Sequence, residues 1–192
     1  MKQDTLKIAL AALWALVVII LVAVGLKLLN ELVLVPRRAS GPLPTLSSSR
    51  PRQREIKVYF ADKDAIRLTP ERRFSEMGAG AAADAKAIME ELIKGPLSAE
   101  LYPTIPADTR LLNAYALGDM LVLDFTHELQ TNHAGGSTGE LLTVYSIVNT
   151  ITQNIEGIRR IQMLVEGEEI ESLAGHLDLT KPLSPNTERL AA

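Results

Sequence analysis

The sequence GGSTG at residues 135–139 matches a known catalytic motif. It satisfies G-x-S-x-G, in which a serine nucleophile sits on a sharp turn between a strand and a helix. Here a polar loop precedes the pattern, and His176 comes before Asp178, whereas the hydrolase order places the acid before the histidine. Ser137 and Glu140 instead match an S-x-x-E capping box, which predicts a helix that begins just after Ser137. We therefore predict no catalytic residue and no enzyme.

Potential metal ligands lie near one another in the sequence at Asp124, His127, Glu128 and His133. His127 and Glu128 would open an H-E-x-x-H zinc motif, but no second histidine follows at the required spacing. Turn and helix-capping roles suit the two acidic residues equally well. We predict neither a bound metal nor a cofactor.

The glycines before the predicted helix could hold an anion through their backbone N–H groups. No lysine follows them as in a phosphate-binding loop, which argues against a nucleotide. A carboxylate group of a partner protein remains an alternative at Gly135 and Gly136.

The predicted helix over residues 138–155 has an apolar stripe and an uncharged polar arc. Leucine, valine, tyrosine and isoleucine recur at helical spacing. The opposite arc carries hydroxyl and amide side chains, with Leu142 among them, and no charge between Glu140 and Glu156. Solvated helix faces usually carry charges, so either a loop of the same chain covers this arc or another protein docks on it. The candidate partner-binding residues are Gly135, Gly136, Thr143, Ser146, Asn149, Thr150 and Gln153.

Composition narrows the class of protein further. The chain has 192 residues, a net charge of −3, no cysteine and 4% aromatic residues. A net charge of −3 argues against a basic surface for nucleic acid, and the lack of cysteine excludes disulfides and thiolate metal sites.

An uncharged apolar run at residues 8–26 is long enough to cross a bilayer core of about 30 Å and predicts a transmembrane anchor. A cleavable signal peptide is the alternative. Basic residues flank the run almost evenly, so charge alone does not set its orientation. Residues 36–54 are rich in proline, serine and arginine and predict an extended linker.

The folded domain is predicted over residues 55–183. Alternating apolar residues predict strands at 55–60, 110–117, 120–125 and 158–165, with a short strand at 168–170, and helices are predicted at 81–94 and 138–155. Residues 62–80 have no such pattern and are predicted to be an irregular surface connection. The order β-α-β-β-α-β predicts a two-layer α+β domain, with two helices on one face of a small mixed sheet.

These elements carry segments that resemble the GerMN domain, the module of sporulation and germination proteins named after GerM. The matching segments are VYF at 58–60, ELIKGP at 91–96, IPADTRLL at 105–112, VLDFTHEL at 122–129, GGSTGELLTVYSIVNTIT at 135–152, VEGE at 165–168 and LAGHLDLTKPL at 173–183. They follow the family order over nearly the whole of the predicted domain.

The resemblance implies a non-catalytic domain outside the cytoplasmic membrane, whose work is contact with protein partners of the cell envelope, self-association included. The resemblance also implies a fold similar to the ring-building modules of secretion and sporulation channels. The alternative function is a cell-envelope hydrolase or a module that binds peptidoglycan or other glycans.

Overall fold

The computed structural model describes residues 52–188, together with residues 23, 24, 27 and 190. The strands are β1 (Arg52–Asp62), β2 (Leu68–Met77), β3 (Leu101–Tyr102), β4 (Leu111–Leu117), β5 (Met120–Phe125), β6 (Arg160–Val165) and β7 (Glu168–Glu169). The helices are α1 (Ala81–Ile93), α2 (Glu128–Thr131) and α3 (Ser137–Asn154).

The predicted anchor at residues 8–26 lies outside the described residues, apart from residues 23 and 24. Within the described part of the chain, no helix has the length and apolar character needed to span a membrane. The predicted linker also lies outside it, except that β1 begins at Arg52 and so includes the last residues assigned to the linker.

Two sheets form instead of the single predicted sheet. The first has the strand order β2-β1-β3, and the second has the order β4-β5-β6-β7. The second sheet is mixed as predicted, since β5 and β6 run parallel and α3 lies in the connection between them. Both long helices contact each other; α1 also contacts β1, β2 and β4, and α3 contacts β1 and β6. The prediction of an α+β domain is confirmed, but the helices pack between two sheets and not on one face of one sheet.

Strand β2 contradicts the predicted surface connection over residues 62–80. It pairs antiparallel with β1 from Arg52↔Met77 to Ala61↔Leu68. The strand lacks apolar alternation because its buried positions include Arg73 and Ser75, which are 5% and 7% exposed. An edge strand can be held by ladder bonds and ion pairs without supplying much of the core.

The core fills the space around α1 and α3. On α1 the predicted inward residues, Ala85, Ile88, Met89 and Leu92, are all buried. On α3 the predicted stripe is buried at Val144, Val148, Ile151 and Ile155. Helix α3 is thus a central helix, with burial that continues onto its polar side.

The C-terminal segment is part of this packing and extends past the predicted domain end at residue 183. The backbone N–H of Asn186 donates to the Asn149 side chain at 3.0 Å, and Asn149 donates back to the Asn186 carbonyl at 2.9 Å. Leu190 forms a β-bridge with Leu68.

Removal of the residues after Leu183 is expected to lower the free energy of unfolding by about 1–3 kcal/mol, because the buried Asn149 amide loses its partners. Chemical denaturation of Ser49–Ala192, the second of two compact units of the chain, is compared with that of 49–183. A matched fragment that ends at Leu190 should keep the stability of the longer one. Equal stability of all three fragments would contradict a structural role for the segment.

Candidate functional site

The uncharged arc of α3 is buried against its own chain. Thr143 and Ser146 are 3% and 0% exposed, and Asn149 and Thr150 are both 0% exposed. Of the candidate residues on this helix only Gln153 is exposed. The arc is therefore not a docking surface, and the alternative in which the same chain covers it is confirmed.

The lower half of the arc closes the free edge of β1. The Tyr59 N–H donates to the Thr150 hydroxyl at 3.1 Å. The Asn154 amide accepts from the Lys57 N–H at 2.9 Å and donates to the Lys57 carbonyl at 2.7 Å. Side chains of a helix thus bond the strand where a neighbouring strand would otherwise lie. Hydroxyl and amide groups can do this without the desolvation cost of a charge, which explains the neutral arc.

The upper half of the arc holds the loop before β4. The Ser146 hydroxyl donates to the Thr143 carbonyl at 2.8 Å and accepts from the Thr104 hydroxyl at 2.7 Å. The Thr143 hydroxyl donates to the Thr104 carbonyl at 2.6 Å. These bonds attach the β3–β4 loop to the first turns of α3.

Thr150→Val is expected to lower the free energy of unfolding by about 1–3 kcal/mol, because the Tyr59 N–H loses its acceptor in a buried site. Thr152→Val is the matched control, since the Thr152 hydroxyl bonds only the Val148 carbonyl within the same helix. That control should change stability by less than about 0.5 kcal/mol. Equal losses in the two variants, measured by urea denaturation, would contradict the strand-edge role of Thr150.

The glycine loop, residues 134–136, leads into α3 through two left-handed backbone positions. Gly135 has φ 81° and Gly136 has φ 80°, values that residues with a side chain rarely adopt. Gly136 is the N-cap residue, and no side chain caps the helix. The predicted capping box is therefore wrong. Helix α3 begins at Ser137, and the Glu140 side chain does not cap it but binds a distant segment of the chain.

Glu140 holds the segment that follows β7. Its carboxylate is fully buried and accepts backbone N–H groups from Leu173 at 2.8 Å, Ala174 at 3.0 Å and His176 at 2.8 Å. Burial raises the pKa of the Glu140 carboxyl, but the N–H groups of Ala174, His176 and Leu173 outweigh it and keep this pKa below its usual value. Glu140 is thus an ionised structural anchor, not a proton donor.

An open cleft of ≈ 350 Å³ lies beside the glycine loop, and we call it the glycine-loop cleft. It lies between the β1–β2 turn, the β3–β4 loop and the start of α3. Its lining is mainly apolar and includes Ala61, Ala65, Tyr102, Pro103, Ile105, Pro106, Ala107, Ala134 and Leu142, with Thr104, Asn132, His133, Gly139 and Thr143.

His133 lines the cleft, and both of its ring nitrogens have hydrogen-bond partners. Nδ1 accepts the Gly135 N–H at 2.9 Å, and Nε2 lies 3.0 Å from the Thr143 hydroxyl. The Thr143 hydroxyl donates its hydrogen to the Thr104 carbonyl. It therefore accepts a hydrogen bond from His133 Nε2. The imidazole thus links the glycine loop to the first turns of α3.

The other candidate residues for chemistry do not converge. Asp124 accepts the Gly167 N–H at 2.8 Å, and His127 lies 3.6 Å from both Glu128 and Glu166. No group of three potential metal ligands forms within the part of the chain that the structure describes. The G-x-S-x-G sequence follows helix α2 and a loop, and so lacks the preceding strand of a nucleophile elbow.

The two-sheet α+β fold, with a cleft at the start of its central helix, is that of a small GerMN-type domain. The sequence profile described as "Germane: Sporulation and spore germination" matches residues 57–171. The chain belongs to this family.

Solved structures agree with the fold. A Clostridium perfringens protein, provisionally described as a lipoprotein, is 28% identical with a TM-score of 0.52, and the match covers 69% of this chain and 87% of that one. The tandem GerMN domains of the sporulation protein GerM from Bacillus subtilis match at 20% identity and a TM-score of 0.55, over 70% of this chain and 45% of that one. A comparison with curated proteins finds no match.

Proposed function

We propose that this protein is a non-catalytic interaction domain of the cell envelope, and that it binds a protein partner in the glycine-loop cleft. The observation that carries the proposal is the lining of the cleft. Its apolar residues face an open space, whereas the polar side chains His133 and Thr143 are bonded to the protein itself. An apolar segment of a partner can enter such a cleft without leaving many polar groups unpaired.

Tyr102 gives the cleft an anchor for such contacts. The residue is 54% exposed at the rim, next to the rigid Pro103. Tyrosine contributes large contact areas in protein interfaces at a low cost in side-chain entropy. The partner is therefore expected to present an apolar or aromatic side chain to Tyr102 and the neighbouring prolines.

The proposed location is the outer side of the cytoplasmic membrane, with the apolar run at residues 8–26 as a single-pass anchor. The similar Clostridium perfringens protein, with its provisional lipoprotein description, supports a membrane-associated domain outside the cytoplasm. The family description supports a role in sporulation or germination.

Photocrosslinking in living cells tests the cleft directly. A crosslinking amino acid at Tyr102 or Ala107 is expected to capture a specific protein, whereas the same group at the exposed Gln153 of α3 should not capture it. Tyr102→Glu, introduced with the crosslinker at Ala107, should reduce capture at least about tenfold, because a carboxylate must then be desolvated in an apolar site. Capture from Gln153 alone would place the partner on another surface.

A further inference from the structure

A second pocket, of ≈ 440 Å³, lies between helix α1 and the start of strand β4, and we call it the α1–β4 pocket. It shares no lining residue with the glycine-loop cleft. Its volume falls within the range of about 300–1,000 Å³ that is typical of small-molecule sites. The pocket is thus a separate candidate site, to which the proposed function gives no role. Its lining consists of Lys86, Glu90, Ile93, Lys94, Thr109, Arg110 and Leu111.

The charges of the pocket are mainly positive. Among the described residues, its lining carries three cations and one carboxylate, which are Lys86, Lys94, Arg110 and Glu90. Lys94 is already paired with Glu91, and Arg110 lies near Glu128 without forming an ion pair with it. Lys86 and Arg110 have no ion-pair partner among residues 52–188, so two cations remain able to bind a ligand.

Thr109 adds a buried polar side chain without a hydrogen-bond partner to the wall of the pocket. The residue is 1% exposed, and no group in the described part of the chain bonds its hydroxyl. The hydroxyls of the other buried threonines, Thr126, Thr143 and Thr150, all have partners. Rotation about χ1 exchanges the hydroxyl and the methyl group of a threonine, so the hydroxyl can turn toward a ligand. A ligand in the pocket would therefore supply the bond that the fold does not.

Backbone hydrogen bonds hold this side of the pocket in place. The Thr109 N–H donates to the Pro106 carbonyl at 3.0 Å. The Arg110 N–H donates to the Thr126 hydroxyl at 3.1 Å, and its carbonyl accepts the Thr126 N–H at 3.0 Å. Leu111 follows at a β-bulge of β4, a feature often found next to functional sites. Residues placed on a bonded backbone need little reorganisation when a ligand binds.

We propose that the α1–β4 pocket binds the carboxylate of a small apolar acid, either free or as the last residue of a peptide. Arg110 and Lys86 donate charge-assisted hydrogen bonds to the carboxylate, whose planar shape matches the fork of a guanidinium group. The Thr109 hydroxyl donates a further hydrogen bond. The apolar part of the acid contacts the half-buried side chains of Ile93 and Leu111.

A single negative charge suits the lining better than a phosphate dianion or a cation. Glu90 opposes a second negative charge on the ligand, whereas Lys86 and Arg110 oppose a positive one. Ile93 and Leu111 favour an acid with an apolar body over a small and strongly hydrated ion, because the apolar body loses contact with water in the pocket.

Isothermal titration calorimetry of the full chain in a neutral detergent tests this proposal, with N-acetyl-leucine as the ligand. The acid is expected to bind, whereas its neutral amide and inorganic phosphate should each bind at least about tenfold more weakly, because charge-assisted hydrogen bonds are lost or opposed. A short peptide that ends in leucine distinguishes the two sources of the carboxylate. Tighter binding of this peptide than of N-acetyl-leucine identifies a peptide end, and equal binding identifies a free acid.

Substitutions in the pocket make the test specific. Arg110→Gln should weaken the binding of N-acetyl-leucine at least about tenfold, whereas Arg67→Gln, the matched control at an exposed arginine outside the pocket, should not. Glu90→Gln should strengthen binding, because it removes the opposing charge. Thr109→Val should weaken binding without lowering the Tm, since the lost hydroxyl has no partner in the free protein. Equal binding of acid and amide, equal effects of the two arginine substitutions, weaker binding after Glu90→Gln, or no binding of the acid would overturn the proposal.

Discussion

Glu140→Ala is expected to lower the free energy of unfolding by about 3 kcal/mol or more. The substitution removes the buried carboxylate that accepts the N–H groups of Leu173, Ala174 and His176. A buried donor left without an acceptor costs about 1–3 kcal/mol, and Leu173 is only 7% exposed. The remaining N–H groups lie nearer to solvent, so water replaces part of their loss. Thermal and urea denaturation of Ser49–Ala192 measure the effect.

The pH dependence separates the charge of Glu140 from its shape. Because the folded pKa lies below its usual value, this group stabilises the domain fully above the unfolded pKa of about 4.3 and loses that contribution as the pH falls through the folded pKa. Glu140→Gln keeps the size but not the charge, so its stability should fall less than that of the wild type between neutral and acid pH. Parallel pH profiles for the two proteins would contradict an ionised Glu140 in the folded state.

Arg73→Ala is expected to lower the free energy of unfolding by about 3–5 kcal/mol, the range for a buried ion pair that loses one partner. The Arg73 side chain is 4% exposed and lies 2.6 Å from Glu71 and 3.4 Å from Glu91. It also donates to the Glu91 carbonyl at 2.6 Å and stacks over the Phe60 ring at 5.0 Å. The substitution leaves the carboxylate of Glu71 with the N–H groups of Leu97 and Ser98 but without its cation.

Arg72→Ala is the control on the same strand. Arg72 pairs with Glu55 at 3.4 Å, but its side chain is 75% exposed, and such surface pairs contribute at most about 1 kcal/mol. The two arginines are neighbours in the sequence, so the difference between them reports the buried contacts that Arg73 makes and Arg72 lacks. Similar losses in both variants would contradict the role of Arg73 as a buried link between β2 and α1.

The elements with a periodic apolar pattern could be predicted from the sequence. Strand β1 and helix α1 follow from the alternation at Ile56 and Val58 and from the helical spacing of Ile88 and Leu92. Strand β2 could not be predicted in this way, because Arg73 occupies a buried position whose partners on α1 are distant in the sequence. Hydrophobic periodicity does not report a core position that is filled by a paired charge.

The site was predictable only in part, for a related reason. The uncharged composition of α3 indicated an unusual environment, but the same hydroxyls and amides suit a partner protein or the edge of β1 equally well. Glu140 matched a local capping pattern, whereas its observed partners lie 33 to 36 residues further along the chain. Local sequence patterns identify polar groups that need a hydrogen-bond partner. The tertiary fold determines which residue that partner is.

The attachment of the last segment to α3 also sets the order of events during synthesis. Glu140 and Asn149 lie in the middle of the chain, yet their partners extend from Leu173 to Asn186, near the C-terminus. Those partners are synthesised after the strands of both sheets, so a nascent chain that has exposed only residues 52–169 still has unpaired buried groups on its central helix. The domain therefore cannot complete its packing until residues 173–186 have left the ribosome, and a fragment that ends near residue 170 is expected to be loosely packed and sensitive to protease.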